Sequence, residues 1–274
     1  MTSFEEMVAS ARAVVAERES QVPLEEMRDR VREADSPTNA LDALRPRSGS
    51  ISVIAEVKRV TATFADLSGV GDVAVLARFY AAGGAACVSV VTEPVRSHGC
   101  LADLDAARAA VDIPILVNDL VVTPYQVHEA RVHGGDLLLL DARLEPLVLE
   151  ALIERTHSLG MLAVVEAHSR REAITAVETG ALCVAADARD PLTGQVDHCR
   201  FEQVAEVLPS SVLRVATGGV AGPRDVMSYA RRGADVVLVG EAIIRSQDPQ
   251  QFVAELVAAG NHPALQNATN REVS

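Results

Sequence analysis

An α/β chain folded as a (β/α)8 barrel, preceded by extra N-terminal helices, is what this sequence predicts. Three observations carry that reading. Apolar runs of strand length alternate with amphipathic stretches of helix length from Ile51 onward. The alternation repeats eight times, and eight parallel crossovers close a barrel. No G-x-G-x-x-G follows the first strand, which counts against the doubly wound open sheet that is the alternative.

Composition agrees. The 274 residues are 49% hydrophobic, so a large core can be buried. Aromatics are 3% and Trp is absent, so packing must rely on aliphatic layers. A formal charge of -13 argues against nucleic acid and anionic membranes as partners. A phosphorylated small molecule stays open, because backbone N–H groups bind phosphate locally. Cys87, Cys100, Cys183 and Cys199 show no C-x-x-C spacing and read as free thiols, as expected in a reducing cytoplasm. No export signal or membrane-spanning stretch is apparent, so a soluble cytoplasmic protein, monomer or homodimer, is expected.

Taken in order, residues 3–18 and 23–34 carry helical periodicity, with Ser3 and Pro23 at the starts. Residues 35–50 are rich in Pro, Ser and Asp and read as a linker, so 1–50 forms helices and linker packing on the barrel. The barrel is expected over 51–260 and a loose tail over 261–274. Its strands are Ser52–Glu56, Ala86–Val91, Pro114–Val117, Asp136–Leu140, Leu162–Glu166, Leu182–Ala186, Val212–Ala216 and Asp235–Val239. Helices over Asp72–Ala82, Pro124–His133, Pro146–Leu159, Arg170–Thr179 and Pro223–Arg232 lie between them. Glycines at Gly83-Gly84, Gly134-Gly135, Gly160, Gly180 and Gly233 mark helix ends.

Barrel chemistry sits at the C-terminal strand ends. Those positions hold Glu56 and Lys58, Thr92 and Glu93, Asn118 and Asp119, Asp141 and Arg143, Glu166 and His168, Asp187 and Arg189, Thr217, and Glu241. Glu56 and Lys58 are two apart, so on a strand they share a face. Asp119 and Glu241 could equally cap helices or pair with a loop. Gly218-Gly219-Val220 and Val239-Gly240-Glu241-Ala242 are suited to bring backbone toward a phosphate, or simply to make tight turns. Thr61 and Thr63 could reach the same phosphate from the loop after the first strand.

Several of these stretches carry a family pattern. Glu56-Val57-Lys58-Arg59-Val60-Thr61-Ala62-Thr63, Ser89-Val90-Val91-Thr92-Glu93, Pro124-Tyr125-Gln126 and Val164-Val165-Glu166-Ala167-His168 together resemble the indole-3-glycerol phosphate synthase family from about residue 3 to 258. The resemblance implies ring closure and decarboxylation of 1-(2-carboxyphenylamino)-1-deoxyribulose 5-phosphate, releasing CO2 and water without a cofactor or metal. It implies that Lys58 engages the substrate carboxylate, that Glu56 and Glu166 do acid/base work, and that Arg189 matches the Arg of the family's Asn-Asn-Arg-Asp.

The departures bear on mechanism. Asn118-Asp119-Leu120 stands where the family has Lys-Asp-Phe, so its general-acid Lys is replaced by an amide that delivers no proton. Thr217-Gly218-Gly219-Val220 replaces Glu-Ser-Gly-Ile, and Asp187 and Ala188 replace the two Asn. Ser97, with His98 beside it, takes the place of an aromatic, and Asp141 and Arg143 fall where the family is usually apolar. General acid catalysis is worth about 10²- to 10⁴-fold, so the acid needs a substitute, with Glu56, Glu166, Asp141, Asp187 and His98 as candidates. Three readings follow: a family-type lyase acting on a related adduct, the parent synthase with a substituted acid, and a catalytically silent barrel that binds the ligand or a partner enzyme.

Overall fold

The computed structural model describes residues 3–46, 49–59, 72–190 and 193–265. The chain opens with α1 (Phe4–Gln21), α2 (Leu24–Glu33) and α3 (Ala40–Leu44). Ser3 caps α1 in a capping box with Glu6, satisfying two N–H groups that the first turn leaves free. Then β1 (Ser52–Val57), α4 (Val73–Ala82), β2 (Cys87–Val91), α5 (Leu101–Arg108), β3 (Ile115–Asn118), α6 (Pro124–Val132), β4 (Leu137–Asp141) and α7 (Pro146–Ser158) alternate. The second half repeats the pattern with β5 (Leu162–Ala167), α8 (Arg170–Glu178), β6 (Cys183–Asp187), α9 (Cys199–Ala205), β7 (Leu213–Thr217), α10 (Pro223–Arg231) and β8 (Val236–Val239), then α11 (Glu241–Ile244) and α12 (Pro249–Gly260).

All strand pairings are parallel, and β8 pairs with β1, closing the sheet in the order β1 to β8. Gly84, Gly134, Gly160, Gly180 and Gly233 carry φ between 75° and 93°, the left-handed geometry that ends a helix without a Cβ clash. Strand parity splits the core in two. Val53, Ala55, Val88, Val90, Val184 and Val237 face outward, into the layer between sheet and helices. Ile54, Cys87, Leu116, Leu139, Val164, Val215 and Leu238 face inward and fill the barrel. Cys87 and Cys183 are buried free thiols, as expected, and Cys100 and Cys199 are exposed.

The linker reading of 35–50 needs correction. Within it Asn39 caps α3 by accepting from Asp42 N, and Ala40 and Leu44 pack with the inward barrel residues as a plug beneath them. Five residues are too short to display a helical period, which is why the element did not show in the sequence. Asp136, buried just before β4, locks the linker in place. Its carboxylate accepts from Thr38 N (2.7 Å), Ile115 N (2.9 Å) and Arg108 Nη1 (2.9 Å). Of the expected loose tail, residues 261–265 are described and Leu265 is buried; residues 266–274 lie outside the described residues. No helix among the described residues is long and apolar enough to cross a membrane.

Candidate active site

The inward parity that fills the barrel with aliphatics continues one step further on each strand, and there the chemistry changes. Two residues beyond Ile54 comes Glu56; beyond Leu116, Asn118; beyond Leu139, Asp141; beyond Val164, Glu166. Asp187 follows Ala185, Thr217 follows Val215 and Gly240 follows Leu238 in the same way. The polar strand ends therefore form one ring over an apolar plug, because a strand's side chains alternate with period two. A cavity of about 170 Å3 opens above it, lined among others by Glu56, Lys58, Asn118, Glu166, Asp187 and Arg189. Thr217, Gly218, Gly219, Gly240 and Glu241 complete its wall.

On one side of the ring, Glu56 is 3% exposed and held as an anion. Lys58 Nζ lies 2.8 Å from its Oε1, while Asn118 Nδ2 (2.8 Å) and Ser89 Oγ (3.2 Å) donate to its Oε2. Burial alone would raise this carboxyl; the Lys58 charge and the three hydrogen bonds overcome burial and hold it below its ordinary value. Gly240 makes room for the pair, since a Cβ there would stand 2.8 Å from Glu56 Oε1 and 3.1 Å from Lys58 Nζ. Asn118, expected among the catalytic residues, is thus a donor to Glu56.

The other side behaves in the opposite sense. Burial, then the negative charge of Asp187, with a further push from Asp141, raises Glu166 to about 8 against the pull of His168 and Arg143. Asp187 is itself raised by burial, although Arg189 N donates to its Oδ1 (2.9 Å). His168 sits among these acids with Nε2 3.9 Å from Glu166 Oε2 and 3.7 Å from Asp187 Oδ2. Its Nδ1 faces Glu172 Oε2 at 3.4 Å, and Glu172 also accepts from His168 N (2.7 Å). Burial would lower the imidazole, but Glu172, Glu166 and Asp187 raise it instead. Glu172 goes down to about 2, because the His168 hydrogen bonds outweigh its own burial. Among the described residues Glu166, His168 and Asp187 are the trio whose ligand atoms, all within 4.8 Å, could meet a cation; such a cluster can equally hold shared protons.

The remaining expected residues divide. Asp141 stands on the ring, but its carboxylate is occupied by Arg143, whose Nε (2.9 Å) and backbone N (2.9 Å) donate to Oδ1 and whose Nη2 reaches Oδ2. Arg143 in turn lies 4.2 Å from the centre of the Phe4 ring, tying α1 to the loop after β4. Arg189 reaches Glu241 at 3.3 Å. Gly218 and Gly219 both adopt left-handed backbone, φ 73° and 75°, and a Cβ on Gly218 would collide with Asp187 Oδ1. Glu93 is structural: it accepts from Val95 N, Arg96 N and Ser97 N and orders the loop after β2. Asp119 accepts from Thr92 Oγ1 (3.2 Å). Thr61 and Thr63 lie outside the described residues.

Ser89 and Glu172 were missed from sequence, and His168 was noted only as a strand-end residue. Ser89 was legible in principle, being at inward parity on β2 and in register with Glu56. Glu172 is four residues beyond His168, one helical turn into α8. A larger cavity of about 650 Å3 lies at the opposite end of the barrel, by Asp35, Arg108, Arg131 and Asp136. Its charges serve structure: Arg108 pairs with Asp136 and Arg131 Nη1 donates to Gly135 O.

Comparison with known proteins bears on this geometry. The family model described as indole-3-glycerol phosphate synthase matches residues 4–256. The indole-3-glycerol phosphate synthase of Mycolicibacterium smegmatis is 49% identical over 264 residues, covering 96% of each chain. That of Beutenbergia cavernae is 50% identical over 266 residues, covering 97% of this chain and 98% of its own. Among solved structures, 3-hexulose-6-phosphate synthase from Salmonella typhimurium superposes with a TM-score of 0.61 at 15% identity, over 76% of this chain and 98% of its own, a likeness of fold alone.

Proposed function

This chain belongs to the indole-3-glycerol phosphate synthase family, and we propose that it is a lyase of that type. Its substrate is a phosphorylated, carboxylate-bearing aminodeoxypentulose adduct, which it closes into a ring with loss of CO2 and water. The observation that carries the proposal is the pair of cavity-facing glutamates driven in opposite directions, Glu56 down and Glu166 up to about 8. Two carboxyl groups whose environments separate them in this way divide into a base and an acid near neutral pH.

Glu166 keeps its proton and gives it to the ketose oxygen, the task for which Asn118 is unsuited. Glu56 stays ionised and accepts the proton that leaves the adduct when the double bond forms. Lys58, at the cavity wall beside Glu56, meets the substrate carboxylate before it departs as CO2. Arg189, Thr217 and the backbone at Gly218, Gly219, Gly240 and Glu241 surround the phosphate end, with Thr61 and Thr63 as further contacts. Asp187 sustains the proton on Glu166 by its charge.

The test is indole fluorescence from purified protein supplied with 1-(2-carboxyphenylamino)-1-deoxyribulose 5-phosphate, alongside a binding titration. Turnover that is lost in Glu166→Gln supports the proposal. Tight binding without product would replace it by the silent binder, and a large gain in turnover in Asn118→Lys would mean that Glu166 does not substitute for the family's lysine.

A further inference from the structure

The reaction proposed above has a proton count that one acid cannot meet in a single pass. The ketose oxygen leaves as water, so it takes up two protons, one as the ring closes and one as the hydroxyl departs. The carboxylate leaves as CO2 and brings none. One proton is removed from the adduct as the double bond forms, so each turnover consumes one proton net. Between the two deliveries Glu166 is a carboxylate, and it must be recharged while the intermediate is still bound.

We propose that His168 is the positioning residue that recharges Glu166, through a Glu172–His168–Glu166 relay reaching from the first turn of α8 to the cavity. The inference rests on the family-type reaction proposed above. Its basis is geometric. His168 is 7% exposed, with one nitrogen toward Glu172 at 3.4 Å and the other toward Glu166 and Asp187 at 3.9 and 3.7 Å. Glu172 is fixed by its bond from His168 N and by the Ser169 cap that starts α8, so its carboxylate stands 3.4 Å from the buried Nδ1, which has no hydrogen bond of its own among the described residues, while Nε2 faces the ring. The groups acting on the imidazole are therefore Glu166 on β5, Glu172 on α8 and Asp187 on β6, opposed by the positive charge of Arg143 after β4, with Asp141 on β4 acting on Glu166. Glu172 and Asp187 beside one imidazole favour the imidazolium, so the second proton is stored where Glu166 can collect it once Glu166 has become a carboxylate.

The sequence of transfers balances. Glu166 O–H protonates the ketose oxygen as the carbon–carbon bond forms and CO2 leaves, its electron pair remaining in the ring. His168 Nε2–H then protonates Glu166, leaving a neutral imidazole beside Glu172. Glu166 delivers this second proton to the hydroxyl, which departs as water, while Glu56 takes the proton lost from the adduct. Solvent returns two protons to Glu166 and His168 and receives one from Glu56.

The relay predicts that the two halves of the reaction separate when His168 is replaced. With enzyme in excess over adduct labelled in its carboxylate, 14CO2 release and indole fluorescence are followed in one turnover for wild type, His168→Gln and Glu172→Gln. The expected result in His168→Gln is CO2 release within about threefold of wild type and indole formation slowed by roughly 10²-fold, with a hydroxylated, decarboxylated intermediate accumulating. Glu172→Gln, which keeps the imidazole but loosens it, shows the same split to a smaller extent and serves if His168→Gln fails to fold. CO2 and indole slowing together, or neither slowing, would overturn the relay while leaving the family-type reaction intact. Wild type releasing neither would instead refute the reading of function on which the relay rests.

Discussion

Replacing Glu166 by Gln should cost activity and add stability, and the second effect measures the cause of the first. Gln matches the shape of the carboxyl but carries no acidic proton, so the acid share of the rate, about 10²- to 10⁴-fold, is lost. At 1.36 kcal/mol per tenfold that is ~3–5 kcal/mol on the barrier. For stability, the carboxyl rises from an ordinary 4.5 to about 8 in the folded protein. In that window the native state holds a proton that the unfolded chain has released, so wild-type stability falls as pH rises from about 4.5 to 8 and levels off above. The ceiling is ~5 kcal/mol at 1.36 kcal/mol per pH unit. Asp187 is itself raised and acts on Glu166, and 24% of the Glu166 side chain is open to solvent, so ~1–3 kcal/mol is the working figure. The amide has no such dependence. Urea unfolding of wild type and Glu166→Gln at pH 5, 7 and 9 should therefore show the variant gaining ~1–3 kcal/mol on wild type as pH rises. A difference that stays flat across that range, or a variant that keeps its activity, would refute the assignment of the acid.

Three further outcomes follow from the same geometry. Asp136→Ala leaves Arg108 and the backbone N–H groups of Thr38 and Ile115 without their acceptor, and should cost ~3–5 kcal/mol in urea unfolding with turnover unchanged where the protein remains folded. Gly218→Ala places a Cβ on left-handed backbone against Asp187; ~1–2 kcal/mol of stability should be lost, and kcat/KM should fall by about tenfold or more. Lys58→Met removes the charge that holds Glu56 down, so KM should rise at least about tenfold and the acid limb of the pH–rate profile should move to higher pH as Glu56 becomes easier to protonate. An unchanged acid limb would show that Glu56 is not the base.

What the sequence by itself determined is everything that depends on local order. Apolar runs of strand length, glycines at helix ends and a period of two within each strand were enough to place eight strands and to set Glu56, Asn118, Asp141, Glu166, Asp187 and Thr217 at one end of them. The family pattern around Glu56, Ser89, Pro124 and Glu166 was equally legible, because motifs are contiguous. Helix α3 escaped, since a five-residue plug has no period and its Ala40 and Leu44 gain meaning only from the barrel they close. The tertiary structure decided the surroundings that drive the two carboxyl groups in opposite directions. Glu56 and Glu166 are the same residue type at the same parity, and Lys58, two residues from Glu56, is a local charge that separates them before the other strands close around them. Glu56 is held as an anion by Asn118, 62 residues away, Ser89 and Lys58, whereas Glu166 is desolvated beside Asp187. Protonation is set by burial and by charges a few ångströms off, and closing the barrel chose those neighbours from strands far apart in the chain.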